Sequence, residues 1–316
     1  MTDFSVNARP QVQIVEIDEE GAGQRIDNFL LTLLKGVPKS MVYRLLRTGQ
    51  VRVNKGRIKP LYRLRSGDVI RIPPVRMAEK SEVAEPGQAV LQQIERNIIF
   101  EDSGLIVLNK PSGIAVHGGS GISFGVIEAI RKLKPECKSL ELVHRLDRET
   151  SGCLLIAKKR SALRHLHEAM RQGEIKKVYL ALCKGRWRGG SQLIDAPLRK
   201  NALSSGERIV RVSADGKEAS SRFTPRQRFK LATLMEVELF TGRTHQIRVH
   251  AQHSGHPLAG DDKYGDKEYN RLMREYGLKR LFLHAHRLTF PWDNAAFEIS
   301  APLDNVLESV LNKLDG

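Results

Sequence analysis

The sequence lacks any stretch long and apolar enough to cross a membrane. Its first ten residues, MTDFSVNARP, lack the apolar centre of a secretory signal, so a cytoplasmic protein is expected. Cysteine is scarce: Cys137, Cys153 and Cys183 are an odd number without C-x-x-C spacing, which points to reduced thiols rather than disulfides or a zinc site. His245, His250, His253 and His256 lie close together, yet H-E-x-x-H is absent and no Cys or acid stands at ligand spacing. A helix face of satisfied histidines is expected there, and no metal. Gly121, Ile122, Ser123, Phe124 and Gly125 spell G-x-S-x-G behind His117, Gly118 and Gly119, but no apolar strand directly precedes Ser123 as a hydrolase elbow requires. No Gly-rich phosphate loop, internal repeat or low-complexity tract is present, and no cofactor is expected.

Acid is also in short supply. Thirty-six acidic residues against 52 basic ones leave a net charge of +16. Between Gly23 and Pro74, twelve basic residues, Lys35 among them, face only Asp27 and Asp68. That density marks a module that grips phosphates, because a solvated helix face would mix both signs. Ile26, Phe29, Leu30, Leu33 and Leu34 form one helical apolar stripe. Pro38 opens a second short helix through Met41, Val42, Leu45 and Leu46, and Gly49 is placed to stop it. Val51 and Val53 alternate with Arg52 and Asn54, and a second strand follows the turn pair Gly67 and Asp68. Two helices and a small sheet resemble the S4 RNA-binding domain. That resemblance assigns RNA contacts to Arg25, Lys39, Arg44, Arg47, Arg52, Lys55 and Arg57.

The chain, with 316 residues of which 41% are hydrophobic and 28% charged, has the composition of a soluble globular protein and the length for two domains. The expected divisions are an N-terminal segment over 1–22, the basic module with its linker over 23–85, and a larger domain over 86–316. The turn-rich text from Met77 to Gly87 reads as the flexible linker. Beyond it, buried strands are expected at 105–108 and 154–157, and a half-exposed one through Met235, Val237 and Leu239. Helices are expected at 124–133, 161–171 and 245–254, the last capped by Thr244 and stopped by Gly255, with a final one after Asp304. The fold class is α+β, with a mixed or antiparallel sheet.

In the string HRLDRETSG, residues 144–152, one acid stands among His144, Arg145 and Arg148. A carboxylate working on a polyanion must stay ionised while phosphates crowd it, and neighbouring arginine serves that end. For an arbitrary Asp beside Arg a structural ion pair is the commoner case. Further strings follow in order around it: NKPSGIAVH from Asn109, K-x-Y at Lys177 and Tyr179, GRTHQIR from Gly242, HPLAGDDKYG from His256 and LFLHA from Leu281. Together they resemble the RluA family of pseudouridine synthases along nearly the whole chain.

The resemblance implies a long mixed, largely antiparallel sheet flanked by helices, and isomerisation of uridines in bacterial 23S ribosomal RNA by a monomer. It makes Asp147 the catalytic carboxylate, paired with and held ionised by Arg243. Tyr179 would stack on the uracil, Ile247 would form the apolar wall, and Arg145 would fill the gap left by a flipped nucleotide. His144 and His117 would support the pocket by hydrogen bonding. A carboxylate suits the reaction because it can attack or stabilise a sugar carbon made electron-poor as the glycosidic bond breaks. Hydrolysis is disfavoured, since it needs a second carboxyl where this sequence has Arg145 and Arg148; the nearby Glu149 reads as structural. The competing class is a non-catalytic S4-type ribosome assembly factor.

Overall fold

The computed structural model describes residues 11–19, 21–34, 36–75, 85–119, 123–202 and 208–315. Lys35, most of the expected linker, and Gly121 and Ile122 of the G-x-S-x-G string lie outside the described residues. The chain divides into two units, residues 1–83 and 84–316.

In the first unit, β1 (Gln13–Glu16), α1 (Ile26–Leu33), α2 (Lys39–Arg47), β2 (Arg52–Val53) and β3 (Val69–Ile72) enclose one small core. Ile26, Leu30, Val42, Leu46, Ile70 and Ile72 are buried there, so the two helical stripes and the alternating strand face one another. Residues 13–16, read from sequence as part of a preceding segment, instead pair with β3, Gln13 opposite Ile72 and Glu16 opposite Val69. They cover a strand edge that would otherwise leave backbone groups unpaired. Asn54 and Lys55 are left-handed, with φ of +48° and +67°, and Gly56 N–H donates to Val53 O at 2.8 Å. This tight turn leaves Lys55 exposed.

The second unit runs α3 (Gln88–Arg96), β4 (Ile98–Glu101), β5 (Leu105–Lys110), α4 (Val126–Leu133), β6 (Glu141–Leu142), β7 (Ser151–Ala157), α5 (Arg160–Arg171), β8 (Lys176–Lys184), β9 (Gln192–Asp195), β10 (Leu198–Ala202), β11 (Arg208–Val212), β12 (Ser220–Arg228), β13 (Ala232–Leu239), α6 (Gln246–His253), α7 (Lys267–Glu275), β14 (Leu283–Trp292), β15 (Ala295–Ser300) and α8 (Asn305–Asp315). One mixed sheet has the order β4-β5-β7-β14-β8-β13-β12-β9, with β15 on β14 and β6 on β7; β10 and β11 form a separate hairpin. Only β7 with β14 is a parallel pairing among the described strands. The central strands bury both faces and put alternate residues into different cores. Tyr179, Ala181 and Cys183 of β8 pack on the side of α3, α4 and α6. Leu180 and Leu182 pack on α7 and α8.

One local outcome departs from expectation, and one position requires glycine. Helix α6 is capped by His245, not Thr244; His245 is left-handed (φ 56°, ψ 19°) and its side chain makes no capping bond. Gly152 has φ +108°, and a Cβ there would lie 2.2 Å from Ala285 O, so the approach of β7 to β14 requires glycine.

Candidate active site

Asp147 sits in the loop between β6 and β7, and that loop is clamped to the loop after β5. The Lys110 side chain is fully buried, and its Nζ donates to Pro111 O and Ile114 O at 2.8 Å and to Arg148 O at 3.0 Å. Burial pulls the Lys110 ammonium down to about 7, opposed by the charges of Glu149 and Asp147. Gly113 N–H donates to Arg148 O, and Ser112 Oγ donates to Glu149 O at 2.7 Å. The NKPSG and HRLDRE strings are thus one structural element, joined across about 35 residues by bonds that fix the backbone immediately after Asp147.

Tyr179 reaches the same place from the middle of β8, between β13 and β14. Ile247 comes from the first turn of α6. The Thr241 to Gln246 turn is folded by one side chain: Gln246 Oε1 accepts from Thr241 Oγ1 and Arg243 N, and Nε2 donates to Ser220 O. A cleft of about 670 Å³ results, lined by all seven residues that the sequence singles out: Asp147, Tyr179, Arg243, Arg145, Ile247, His144 and His117. Tyr179 and Ile247 are buried, whereas Arg145, Arg243 and His117 are exposed.

The arginine contacts within the cleft differ from expectation. Arg243 does not pair with Asp147: its Nε donates to Glu218 O at 2.9 Å and its side chain faces solvent. Arg148 also turns aside, donating to Gly113 O and pairing with Glu149 at 3.3 Å. His144 acts within the scaffold, since its Nε2 accepts from Leu155 N–H at 3.1 Å. Burial, and then the Lys177 charge, hold His144 at about 4, so the ring is neutral.

Instead, His245 Nε2 lies 3.9 Å from Asp147 Oδ2. Its Nδ1 meets the Tyr264 hydroxyl at 2.8 Å, and that hydroxyl accepts from Val210 N–H at 3.0 Å. Behind it, Arg248 forms a two-pronged buried pair with Asp261, both contacts 2.7 Å, and its guanidinium lies over the Tyr264 ring at 4.9 Å. Burial works against the Arg248 charge, but Asp261 and, further off, Asp147 raise its affinity for the proton. The motif strings offer no signal that separates His245 from the other histidines of its helix or Arg248 from Arg243. His250 and His256 are held elsewhere, by Ser221 and Ala196 O and by Lys184 O.

Lys177 also lines the cleft, two positions before Tyr179 on the same strand face, and burial lowers its affinity for a proton. Burial, and then the Asp147 charge, push the Tyr179 hydroxyl far above its ordinary value, so it remains protonated at neutral pH. Among the described residues no group of three or more His, Cys, Asp or Glu is arranged to hold a metal, and no helix is long and apolar enough to cross a membrane.

In the first unit, Lys39, Arg44, Arg47, Arg52, Lys55 and Arg57 are exposed, the first three on the solvent side of α2. Arg25 differs, because it is paired with buried Asp27 at 2.5 Å. Burial opposes the Asp27 charge, but hydrogen bonds from Arg25 and Tyr43 outweigh it and hold the carboxyl below its ordinary range.

Residues 104–253 match the family model for RNA pseudouridylate synthase, and residues 24–70 match that for the S4 domain. Ribosomal large subunit pseudouridine synthase C of Escherichia coli strain K12 is 57% identical, with 96% of this chain and 97% of that protein covered. The enzyme of the same description from Pasteurella multocida is 56% identical over 96% of this chain and 94% of its own length. The fold is similar to that of human RNA Pseudouridylate Synthase Domain Containing 4, with a TM-score of 0.61, 24% identity, and coverage of 72% of this chain and 96% of that one. By its motifs, its fold and this identity over nearly its whole length, the chain belongs to the RNA pseudouridylate synthase family, as a member that carries an S4 domain ahead of the synthase fold.

Proposed function

We propose that this protein isomerises uridines of bacterial 23S ribosomal RNA to pseudouridine, with Asp147 as the catalytic carboxylate acting on a flipped-out nucleotide. The observation that carries this reading is the convergence of Asp147, Tyr179 and Ile247, from three distant segments, on one cleft. The names borne by relatives more than half identical in sequence support ribosomal RNA of the large subunit as substrate.

The reaction breaks the N1 to C1′ bond, turns the uracil and forms a C5 to C1′ bond; C5 gives up a proton and N1 gains one. Asp147 faces the ribose carbon that becomes electron-poor, while Tyr179 stacks on the uracil. Ile247, Leu239 and Leu283 supply an apolar lining that keeps water from the detached base. Arg145, exposed at the cleft, fills the vacated place in the RNA, and exposed Arg243 meets a phosphate. His117, exposed at the cleft, bonds the incoming RNA. The basic face of the first unit holds structured RNA through the exposed cations of α2 and the β2 turn.

Asp147→Asn and Asp147→Ala are expected to abolish pseudouridine formation on unmodified 23S transcript while leaving RNA affinity within about threefold, because the carboxylate makes contacts worth more in the transition state than in the ground state. Undiminished product from either variant overturns the assignment.

A further inference from the structure

We propose that His245 is a positioning residue for Asp147: its Nε2 proton fixes the carboxylate toward the seated ribose, and Tyr264 fixes the tautomer that places the proton there. The inference rests on the reading of Asp147 as the catalytic carboxylate and adds a residue pair to it.

The Tyr264 hydrogen bonds favour one tautomer. Val210 N–H donates to the Tyr264 oxygen at 3.0 Å, so the hydroxyl acts as acceptor there and retains its own proton to give. That proton faces His245 Nδ1 at 2.8 Å. With Nδ1 as the acceptor, the ring proton resides on Nε2, the nitrogen 3.9 Å from Asp147 Oδ2. A closure of about 1 Å makes this contact a hydrogen bond, the kind of tightening that accompanies substrate binding.

His245 precedes α6 but its ring makes no capping bond. Its backbone is left-handed at φ 56°, an uncommon conformation that histidine, with Asn and Asp, enters more readily than other non-glycine residues. Gln246 enforces it, through its bonds to Thr241, Arg243 and Ser220. The turn delivers an imidazole that is only 17% exposed to the carboxylate. The groups that face the ring are Asp147 and Asp261, which favour its charged form, and Arg248 and Lys263, which with burial oppose it; the balance leaves it neutral at neutral pH. A neutral ring orients the carboxylate without neutralising it, so Asp147 keeps the electron density that the ribose carbon requires.

Two measurements on the full-length protein test the assignment. Imidazole ¹⁵N shifts at pH 7.5, with the His245 signal assigned by its loss in His245→Gln, should show Nε2 protonated and Nδ1 not. Tyr264→Phe should move that signal toward a tautomer mixture. Single-turnover tritium release from C5-tritiated 23S transcript, at saturating protein, should slow about 10- to 100-fold in His245→Ala with RNA affinity unchanged, the effect of one lost hydrogen bond to a charged group. His245→Gln, whose amide can take the place of Nε2–H, should recover about tenfold of that loss. A ring protonated on Nδ1 in the wild type, no recovery by Gln, or a wild-type rate in His245→Ala overturns the proposal. If Asp147→Asn is inactive while His245→Ala is fast, only the positioning role falls; if Asp147→Asn is active, the reading beneath it falls.

Discussion

Replacing Arg248 by Met should destabilise the synthase unit by an amount that depends on pH in a defined direction. Arg248 and Asp261 have side-chain exposures of 9% and 0%, and Arg248 Nε is the donor that Asp261 Oδ2 receives. Removing one partner of a buried ion pair costs about 3–5 kcal/mol, because the other charge is left without compensation. The Lys263 and Tyr264 backbone N–H groups still donate to Oδ1, which places the loss near the lower end, about 3 kcal/mol. For a unit of this size that corresponds to a midpoint lower by roughly 10 °C. Both tryptophans, Trp187 and Trp292, lie in the second unit, so their fluorescence follows its urea unfolding separately from the S4 domain. In the wild type, burial opposes ionisation of Asp261, but the bonds from Arg248 outweigh it and its carboxyl lies below the ordinary value of 3.8. Its contribution is therefore present above about pH 4 and disappears as pH falls through the folded value. In the variant the unpaired carboxylate is costly only while ionised, so the gap from wild type should narrow between pH 7.5 and about pH 4.5. A gap under about 1 kcal/mol at pH 7.5, or one that is the same at both pH values, refutes the reasoning.

Changing Arg44, Arg47 and Arg57 together to Gln should weaken RNA binding and make the slope of log affinity against log salt shallower by about two to three, as three lost phosphate contacts require. Filter binding over a salt series reads this, and an unchanged slope removes these residues from the interface. Gly152→Ala should cost more than about 3 kcal/mol, since it combines a disfavoured φ with a Cβ driven into Ala285 O. Near-wild-type stability in the same tryptophan assay would show that β7 and β14 can separate without penalty.

The periodic parts of the fold are legible because each is set by a local repeat. The stripe from Ile26 to Leu34 is helix α1, and Met235, Val237 and Leu239 lie on β13 with Met235 and Val237 fully buried. What is not legible depends on pairing across long distances. Nothing local marks Gln13 to Glu16 as the strand that covers β3, because a four-residue edge strand takes its stability from its partner rather than from its own pattern. Helix α3, ahead of the first expected strand, likewise follows from its packing against α4, with Leu91 and Ile94 buried beside Ile127 and Ile130. The expected cleft residues do meet, yet the choice between the two arginines of GRTHQIR turns on one backbone angle. Left-handed His245 starts the helix a residue later than a Thr244 cap would, directing Arg248 inward to Asp261 and leaving Arg243 outside.

That partition of charge has a physical logic. A cation that is to meet phosphate must reach solvent and be free to move, and Arg145 and Arg243 at the cleft surface satisfy this. A cation deep in the site has the opposite requirement, because an unpaired buried charge is costly and a mobile one does not preorganise. Arg248 meets it by fixed pairing with Asp261, stacked on Tyr264. Between these layers a neutral imidazole comes within 3.9 Å of Asp147, and the paired Arg248 charge acts on the carboxylate from further off. Had Arg243 been locked to Asp147, the pair would have withdrawn a phosphate contact from the surface. An acid surrounded by arginine in sequence thus has Arg148 held to Gly113 O, Arg243 to Glu218 O and Arg248 to Asp261 in space, with a histidine as its near neighbour.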